Sequence, residues 1–229
     1  MEIIYHGHSC VQLNANGKSL VIDPFLRGNP QAVTKPEDIL VNAVLLTHAH
    51  TDHILDAESI ARVNAAPIVA IHELATFFSW KGLETRGMNL GGTMDLGFAK
   101  IKMIQAFHSS GIILDDEKRI IYGGMPAGYI VTAEGFTILH AGDTCLYGDM
   151  KMIGDRHDID VAFIPIGDCF TMGPDDALQA AEWFGAKTVV PIHYDTFAPI
   201  KQDSIQFVKR LEERGFAGRV MAPGERLSL

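Results

Sequence analysis

Cysteine is scarce in this sequence, and long apolar runs are absent. Among 229 residues there are three cysteines, Cys10, Cys145 and Cys169, which cannot all pair with one another and form no C-x-x-C motif. We therefore expect free thiols. No apolar stretch reaches the roughly 20 residues that span a bilayer, which excludes an integral membrane protein. The first six residues lack the basic flank and apolar segment of a signal peptide, so we expect a cytoplasmic protein.

Basic residues are also few, and they are not clustered. Lys and Arg number 19 against 28 Asp and Glu, which gives a net charge of −9. We therefore expect no nucleic-acid partner, because a phosphate backbone repels an acidic surface that has no basic patch. The 47% of hydrophobic residues and 21% of charged residues exclude a disordered chain. The length fits a single domain, residues 1–229, with a substantial core.

Strand and helix signals alternate along the chain. Asn16-Gly17 and Glu134-Gly135 each separate two apolar segments and predict β-hairpins. Helical periodicity occurs in residues 52–64, 72–81, 174–184 and 203–214, and short apolar runs occupy residues 43–46, 68–71, 161–166 and 188–192. These patterns predict an α/β protein with largely buried sheets. Their order also suggests two similar halves that meet near residues 108–125.

One short motif carries most of the chemical information. His48-x-His50-x-Asp52-His53 follows an apolar run, and a chain of this composition would contain such a pattern by chance about once in 700 cases. In extended chain His48 and His50 point to the same face, and Asp52 and His53 then open a helix. Imidazoles and a carboxylate suit a divalent transition metal, above all Zn2+. The alternative is a cluster of surface histidines at a helix start.

Further candidate ligands follow other predicted strands. His108, His140, Asp143, Asp168 and His193 all lie at or just after the end of an apolar segment. Because active sites of α/β folds collect at the carboxyl ends of strands, we expect these ends to converge. Any one such histidine could be structural, but several coordinated strand ends favour a site.

Counting the ligands predicts two metal ions rather than one. The seven candidates form two sets of three with one bridging carboxylate: His48, His50 and His108; Asp52, His53 and His193; and Asp143 as the bridge. Both ions would keep open positions for a shared water, as in catalytic sites. Two ions about 3.5–4 Å apart can together hold a hydroxide and stabilise an oxyanion.

These residues resemble the signature of the metallo-β-lactamase superfamily, His-x-His-x-Asp-His followed by separate His, Asp and His ligands. The resemblance runs from Tyr5 to about Thr196. It implies an αββα sandwich, with two facing β-sheets, helices outside and metals along one edge. Other matching segments are Tyr5-His6-Gly7-His8-Ser9, Ile22-Asp23-Pro24-Phe25, Gly124-Met125-Pro126-Ala127-Gly128, His140-Ala141-Gly142-Asp143-Thr144, Phe170-Thr171-Met172-Gly173-Pro174 and Pro191-Ile192-His193-Tyr194.

Those segments resemble a group of small bacterial and archaeal metal-dependent hydrolases similar to ascorbate-6-phosphate lactonases. Other branches fit less well. Flavodiiron oxygen reductases carry Glu where this chain has His50. Secreted β-lactamases carry a signal peptide. Glyoxalase II enzymes and RNA-processing nucleases add further elements, for which the 36 residues after His193 leave little room.

The resemblance implies a binuclear hydrolase that uses a metal-activated hydroxide on a small ester, lactone or phosphoester. Zn2+ is the leading expectation, and Mn2+ or Fe2+ suits the same ligands. The rival interpretations are a phosphodiesterase or nuclease with the same site and a non-catalytic metal-binding regulatory protein. The expected partner is a small-molecule substrate, and the sequence leaves the oligomeric state open.

Several residues near the motif have two interpretations. Asp52 and His140 are candidate catalytic residues, His140 as a proton donor or metal-site partner, with a packed histidine as its alternative. His6 and His8 follow the first strand and could reach the site, and the segment Asp168–Pro174 could line a substrate pocket or form a structural turn. Residues expected to pack rather than react are Tyr194, Cys145 and Cys169, and those expected to face solvent are His72 and His157.

Overall fold

Two seven-stranded β-sheets form the centre of the protein in the computed structural model, which describes residues 1–229. In spatial order the strands of the first sheet are β16 (Arg226–Ser228), β1 (Glu2–Tyr5), β2 (Val11–Ala15), β3 (Lys18–Ile22), β4 (Ala43–Leu45), β5 (Ile68–Ile71) and β6 (Thr85–Met88). Those of the second sheet are β15 (Ala217–Gly218), β14 (Thr188–Ile192), β13 (Val161–Pro165), β12 (Phe136–His140), β11 (Ala127–Ala133), β8 (Lys100–Gln105) and β7 (Thr93–Asp95).

The remaining elements are one separate hairpin and the helices. The hairpin consists of β9 (Gly111–Leu114) and β10 (Arg119–Tyr122) and lies in the chain between β8 and β11 of the second sheet. The α-helices are α1 (Thr51–Ile54), α2 (Ala57–Asn64), α3 (His72–Trp80), α4 (Asp149–Gly154), α5 (Pro174–Phe184) and α6 (Ser204–Glu213). Two 3-10 turns cover Pro36–Asp38 and Ala198–Ile200. None of these helices combines the length and the apolar character needed to cross a membrane.

The core lies between the sheets and under the outer helices. A cluster of 43 buried residues joins side chains of both sheets, among them Leu13 and Leu20 from the first and Phe163 from the second. Ala162 and Ile164, on the opposite face of β13, belong to a second cluster of 20 residues with α5 and α6. The alternation along β13 therefore buries both faces, which is the geometry of a strand between a sheet and a helical layer. The predicted αββα sandwich is confirmed.

Each sheet joins an antiparallel half to a parallel half. β1, β2 and β3 pair antiparallel, and β3 to β6 pair parallel. In the second sheet β8, β11 and β12 pair antiparallel, and β12 to β15 pair parallel. The two sheets thus repeat one pairing pattern, as two similar halves would. They meet in the chain between β6 and β7, at residues 89–92, and not near residues 108–125 as expected, because the β9–β10 hairpin interrupts the second sheet and does not divide the two.

Both predicted hairpins occur, and their turns have the expected chemistry. Asn16 and Gly17 join β2 to β3 with φ of 52° and 71°, and Glu134 and Gly135 join β11 to β12 with φ of 52° and 83°. Two successive residues in the left-handed region match the twist of antiparallel strands. Glycine meets this requirement without strain, which is why these dipeptides mark the turns.

The predicted helix over residues 52–64 is interrupted. It forms α1 and α2, separated at Leu55 and Asp56. The Asp56 carboxylate accepts hydrogen bonds from the backbone N–H groups of Leu26 and Arg27, and the Asp56 N–H donates to the Pro24 carbonyl. These contacts hold Asp56 against the loop after β3. The helix breaks because tertiary bonds replace the helical ones. The other three predicted helices agree with α3, α5 and α6 within one residue at each end.

Candidate metal centre

The seven predicted ligands lie together at one edge of the sandwich. His48 and His50 follow β4 of the first sheet, and Asp52 and His53 lie in α1. The other three follow strands of the second sheet, at the ends of β8, β12 and β14: His108, Asp143 and His193. A cavity of about 350 Å³ opens at this edge and is lined by His50, Asp52, His108, Ser109, Asp143, Phe170 and His193. The predicted convergence of strand ends therefore occurs.

Three imidazoles form the first ligand cluster. His48 Nε2 lies 2.9 Å from His50 Nδ1, and His108 Nε2 lies 3.2 Å from the same atom. Burial lowers the pKa of all three rings, most strongly that of His48, and so favours their neutral form. A neutral imidazole keeps a lone pair on one nitrogen, and three such nitrogens facing one point suit a transition metal.

The hydrogen bonds of Asp23 determine the His48 tautomer. The Thr47 hydroxyl donates to Asp23 Oδ2 at 2.6 Å, so its oxygen is free to accept from His48 Nδ1–H at 3.0 Å. His48 Nε2 then carries the lone pair and points toward His50 and His108. A carboxylate or hydroxyl behind a ligating histidine fixes ring orientation and tautomer in this way.

Asp23 also fixes the tautomer of His53, in the second cluster. His53 Nδ1 donates to Asp23 Oδ2 at 2.8 Å, and Asp23 Oδ1 accepts from the Thr47 N–H at 2.8 Å. His53 Nε2 is buried and has no hydrogen-bond partner. Burial alone would lower the pKa of His53, but the Asp143 and Asp23 carboxylates outweigh it and raise that pKa well above its usual value. A cation is favoured at this position, whether a proton or a metal ion.

Asp143 lies between the two clusters. Its Oδ2 atom is 2.9 Å from His193 Nε2, 3.3 Å from His53 Nε2 and 3.7 Å from His108 Nε2. Burial would raise the pKa of Asp143, but the His193 and His53 rings hold it well below its usual range. The turn that carries Asp143 requires glycine, because Gly142 has φ of 66° and a Cβ there would collide with the Ala127 carbonyl. This is the placement expected of a bridging carboxylate.

The arrangement fits two divalent transition-metal ions. Buried polar atoms without a partner are rare in proteins, yet His53 Nε2 and Asp143 Oδ1 are both of this kind here. Imidazole nitrogens together with carboxylate oxygens form a donor set typical of Zn2+, Mn2+ or Fe2+. His48, His50 and His108 would hold one ion, Asp52, His53 and His193 the other, and Asp143 would contact both.

His8 joins the second cluster, whereas His6 does not. Ligand atoms of His8, Asp52, His53 and His193 all lie within 4.8 Å of one another. His6 instead bonds Thr34 and Gln12 through its two ring nitrogens, on the outer side of the first sheet. Of the two histidines that the sequence marked as able to reach the site, only His8 does so.

His140 is placed differently from the prediction of a catalytic group. Its Nε2 donates to the Ser9 carbonyl at 2.9 Å, and its Nδ1 accepts from the Gly142 N–H at 3.2 Å. Both ring nitrogens are thus used by backbone atoms, and His140 does not line the cavity. The residue ties the loop after β1 to the turn that carries Asp143. These bonds favour the packed alternative over a proton donor, and a catalytic role for His140 stays a prediction.

The cysteines and the segment after β13 are partly as expected. All three cysteines are free thiols, but Cys145 and Cys169 are exposed, so the prediction that they are packed is wrong. They lie in loops beyond the strand ends, where side chains no longer face a layer. Phe170 lines the cavity, in the segment Asp168–Pro174 that had two interpretations. Tyr194 is buried and His72 is exposed, as predicted, and His157 is partly buried.

Asp23 is the functional residue that the sequence reasoning missed. It follows β3 as Asp143 and His193 follow their strands, so the strand-end argument could have found it. The side chain of Asp23 is fully buried. Its backbone has φ of 50°, which is uncommon for a residue other than glycine.

Comparison with known proteins agrees with this site. A family model described as "Beta-lactamase superfamily domain" matches residues 2–193. The chain therefore belongs to the metallo-β-lactamase superfamily, and the prediction of a metal-dependent hydrolase is confirmed at that level.

Individual proteins similar to this chain include metal-dependent hydrolases of bacteria and archaea. It is 56% identical over its full length, and over the full length of the relative, to a "UPF0173 metal-dependent hydrolase" of Geobacillus thermodenitrificans. Its structure is similar to that of Igni18, "a novel metallo hydrolase" of the archaeon Ignicoccus hospitalis, with a TM-score of 0.89 and 37% identity. That match covers 99% of this chain and 97% of the archaeal one. An isothiocyanate hydrolase from Delia radicum gut bacteria shares the fold, with a TM-score of 0.78, 22% identity and coverage of 100% and 99%.

Proposed function

We propose that the protein is a binuclear metal-dependent hydrolase that acts on small uncharged esters or lactones. The observation that carries the proposal is the position of Asp143. One of its carboxylate oxygens, Oδ2, lies within 4 Å of imidazole nitrogens from both clusters. One carboxylate can serve two ions only where two ligand sets face each other at this range.

The bound ions would polarise the substrate carbonyl and lower the pKa of a water molecule. The protein residues supply the geometry for this chemistry. Asp23 and Thr47 keep His48 and His53 in the tautomers that point lone pairs inward. Asp143 neutralises charge between the clusters. The ligands come from two sheets whose cores are packed together, so the geometry is held by the fold rather than by one mobile loop.

The cavity favours a small substrate without a phosphate group. Its volume of about 350 Å³ lies at the small end of ligand sites. No Lys or Arg lines it, and its one apolar lining residue is Phe170. Sites that recognise a phosphate dianion usually provide Arg or Lys as hydrogen-bond donors, in addition to any metal. An ester or lactone therefore suits these walls better than a phosphomonoester or a nucleic acid.

A substrate panel tests this proposal. Lactones, carboxylic esters, thioesters, phosphomonoesters and phosphodiesters would be assayed with Zn2+ and, separately, with Mn2+. We expect kcat/KM to be highest for an uncharged lactone or ester. A preference for phosphodiesters would support a nuclease instead. No turnover on any substrate, with two ions bound per chain, would support a non-catalytic metal-binding protein.

A matched pair of variants links turnover to the cavity. Phe170→Ala removes the apolar wall and should raise KM for the best ester while leaving metal content unchanged. Phe107→Ala is the control, because Phe107 is also an exposed aromatic residue near the ligand loops but does not line the cavity. Equal effects of the two changes would contradict the assignment of Phe170 to the substrate site.

A further inference from the structure

His8 is a buried histidine that the seven-residue ligand set leaves unexplained. It lies in the turn between β1 and β2, and its side chain is fully buried. Its Nε2 atom is 3.2 Å from Asp52 Oδ2, and its ring centroid is 4.2 Å from that of His193. The ring therefore lies directly behind two of the ligands proposed for the second ion.

The backbone of His8 is held from two directions. Its carbonyl oxygen accepts hydrogen bonds from the Tyr5 hydroxyl at 3.0 Å and from the His193 N–H at 2.9 Å. The residue has φ of 55°, in the left-handed region that favours glycine. Such a conformation persists where surrounding contacts determine it, and it often marks a functional position.

The ring of His8 is also fixed on its sides. Phe25 and Phe197 contact it in edge-to-face geometry, with centroid separations of 5.5 Å and 5.6 Å. Its Nδ1 atom lies 2.9 Å from the hydroxyl oxygen of Thr196. The imidazole thus has one orientation, with Nδ1 toward Thr196 and Nε2 toward Asp52.

Asp52 needs an external partner more than the other ligands do. It is a metal-site carboxylate with 27% of its side chain exposed, whereas Asp143 has 2%. The only hydrogen bond to its carboxylate comes from His8, and its distances to His53 Nε2 and His193 Nε2 are 4.0 Å and 3.9 Å. Without His8, no hydrogen bond would keep the Asp52 carboxylate from rotating toward solvent.

We propose that His8 is a positioning residue that donates from Nε2–H to Asp52 Oδ2 and leaves Oδ1 for the second metal ion. In this tautomer Nδ1 accepts the Thr196 hydroxyl proton, whose other acceptor, the Tyr194 carbonyl, is farther away at 3.4 Å. The inference rests on the proposed binuclear site. It adds that the N-terminal turn, and not only the motif after β4, determines the affinity for the second ion.

The test measures stepwise metal affinity by competition with a chelator, first for the wild-type protein with Zn2+. Binding of only one ion by the wild type would contradict the proposed function itself. With two ions bound, His8→Ala should weaken the second ion about 10- to 100-fold, the usual effect of losing a partner of a ligand. The first ion should keep its affinity within about twofold, since His48, His50 and His108 do not contact His8.

Three further variants make the result specific. His8→Gln keeps an N–H donor and should recover part of the second-ion affinity. Thr196→Val, which removes the hydroxyl facing Nδ1 at nearly constant volume, should weaken the second ion alone and serves if His8→Ala does not fold. His6→Ala is the control, because His6 is buried two residues away and its ring bonds Thr34 and Gln12, away from the metal ligands. It should leave both affinities unchanged.

Three outcomes would overturn the inference. Unchanged second-ion affinity in both His8→Ala and Thr196→Val would remove His8 from the site. Equal weakening of both ions, or the same loss in His6→Ala, would show a general effect of packing. Complete loss of the second ion in His8→Ala without recovery in His8→Gln would make His8 a direct ligand rather than a positioning residue.

Discussion

Replacing Asp23 by Asn should loosen both metal ions at once, although Asp23 lies outside the predicted ligand set. Asp23 Oδ2 accepts hydrogen bonds from the Thr47 hydroxyl and from His53 Nδ1, and Oδ1 accepts from the Thr47 N–H. The substitution keeps the size of the side chain. It turns one oxygen into an NH2 group, so that at least one of these donors meets another donor instead of an acceptor.

The magnitude follows from which bonds are lost. If the amide oxygen stays on the Thr47 N–H, the NH2 group opposes both the Thr47 hydroxyl and His53 Nδ1–H. His48 and His53 then lose their preferred tautomers, and each ion should bind about 10- to 100-fold more weakly. Hydrogen bonds to charged groups contribute about 1.5–3 kcal/mol each, so we also expect the free energy of unfolding to fall by at least about 1.5 kcal/mol without metal.

Asp56→Asn is the matched control for this variant. Asp56 is equally buried, and one of its carboxylate oxygens accepts two backbone N–H bonds, from Leu26 and Arg27, but it contacts no histidine. Chelator competition should show unchanged affinity for both ions in Asp56→Asn, whatever its loss of thermal stability. If Asp23→Asn retains wild-type affinities, or if Asp56→Asn loses them equally, the tautomer argument is wrong.

Four further expectations concern metal content, removal of the metal, and the variants Asp143→Ala and His140→Ala. Elemental analysis of protein purified without chelator should give close to two transition-metal ions per chain, and loading of only one under excess Zn2+ and excess Mn2+ would refute the binuclear proposal. Chelation should lower Tm yet leave the chain folded by circular dichroism, since two buried clusters of 43 and 20 residues do not depend on metal. Asp143→Ala should weaken both ions and abolish turnover, because its carboxylate contacts both clusters. His140→Ala should lower Tm through the lost bonds to Ser9 and Gly142 while metal content stays at two; a lost ion would make His140 a ligand.

The parts of the fold predicted from sequence are those with strong local signals. Hairpin turns at Asn16-Gly17 and Glu134-Gly135 need left-handed residues, and long amphipathic helices carry a clear period. The six-residue helix α4 and the hairpin β9–β10 had no such signal. α4 is too short to show a period, and β9 and β10 pair only with each other, on a hairpin whose Ile113 and Ile120 are exposed. β9 and β10 therefore lack the alternation of apolar and polar residues that burial imposes on a strand inside a sheet.

In the candidate site, the positions of the ligands could be predicted from the sequence, whereas the orientations of several side chains could not. The ligand positions follow from chain geometry, because each residue comes at or after a strand end. The orientation of a side chain does not follow in the same way. His140 is the last residue of β12 and shares the inner face with Ile138, so its ring points between the sheets toward Ser9. His8 and Asp23 depend on contacts across more than 20 residues of chain, and only the folded structure brings those partners together.

Because the ligands follow strands of both sheets, they become available one group after another as the chain is synthesised. His48, His50, Asp52 and His53 leave the ribosome well before Asp143 and His193. A growing chain can offer a metal only the early group, without the bridge and without the last imidazole. The full set exists only once β14, which ends at Ile192 just before His193, has paired with β13. An ion captured early would therefore be held by fewer ligands than the complete set provides.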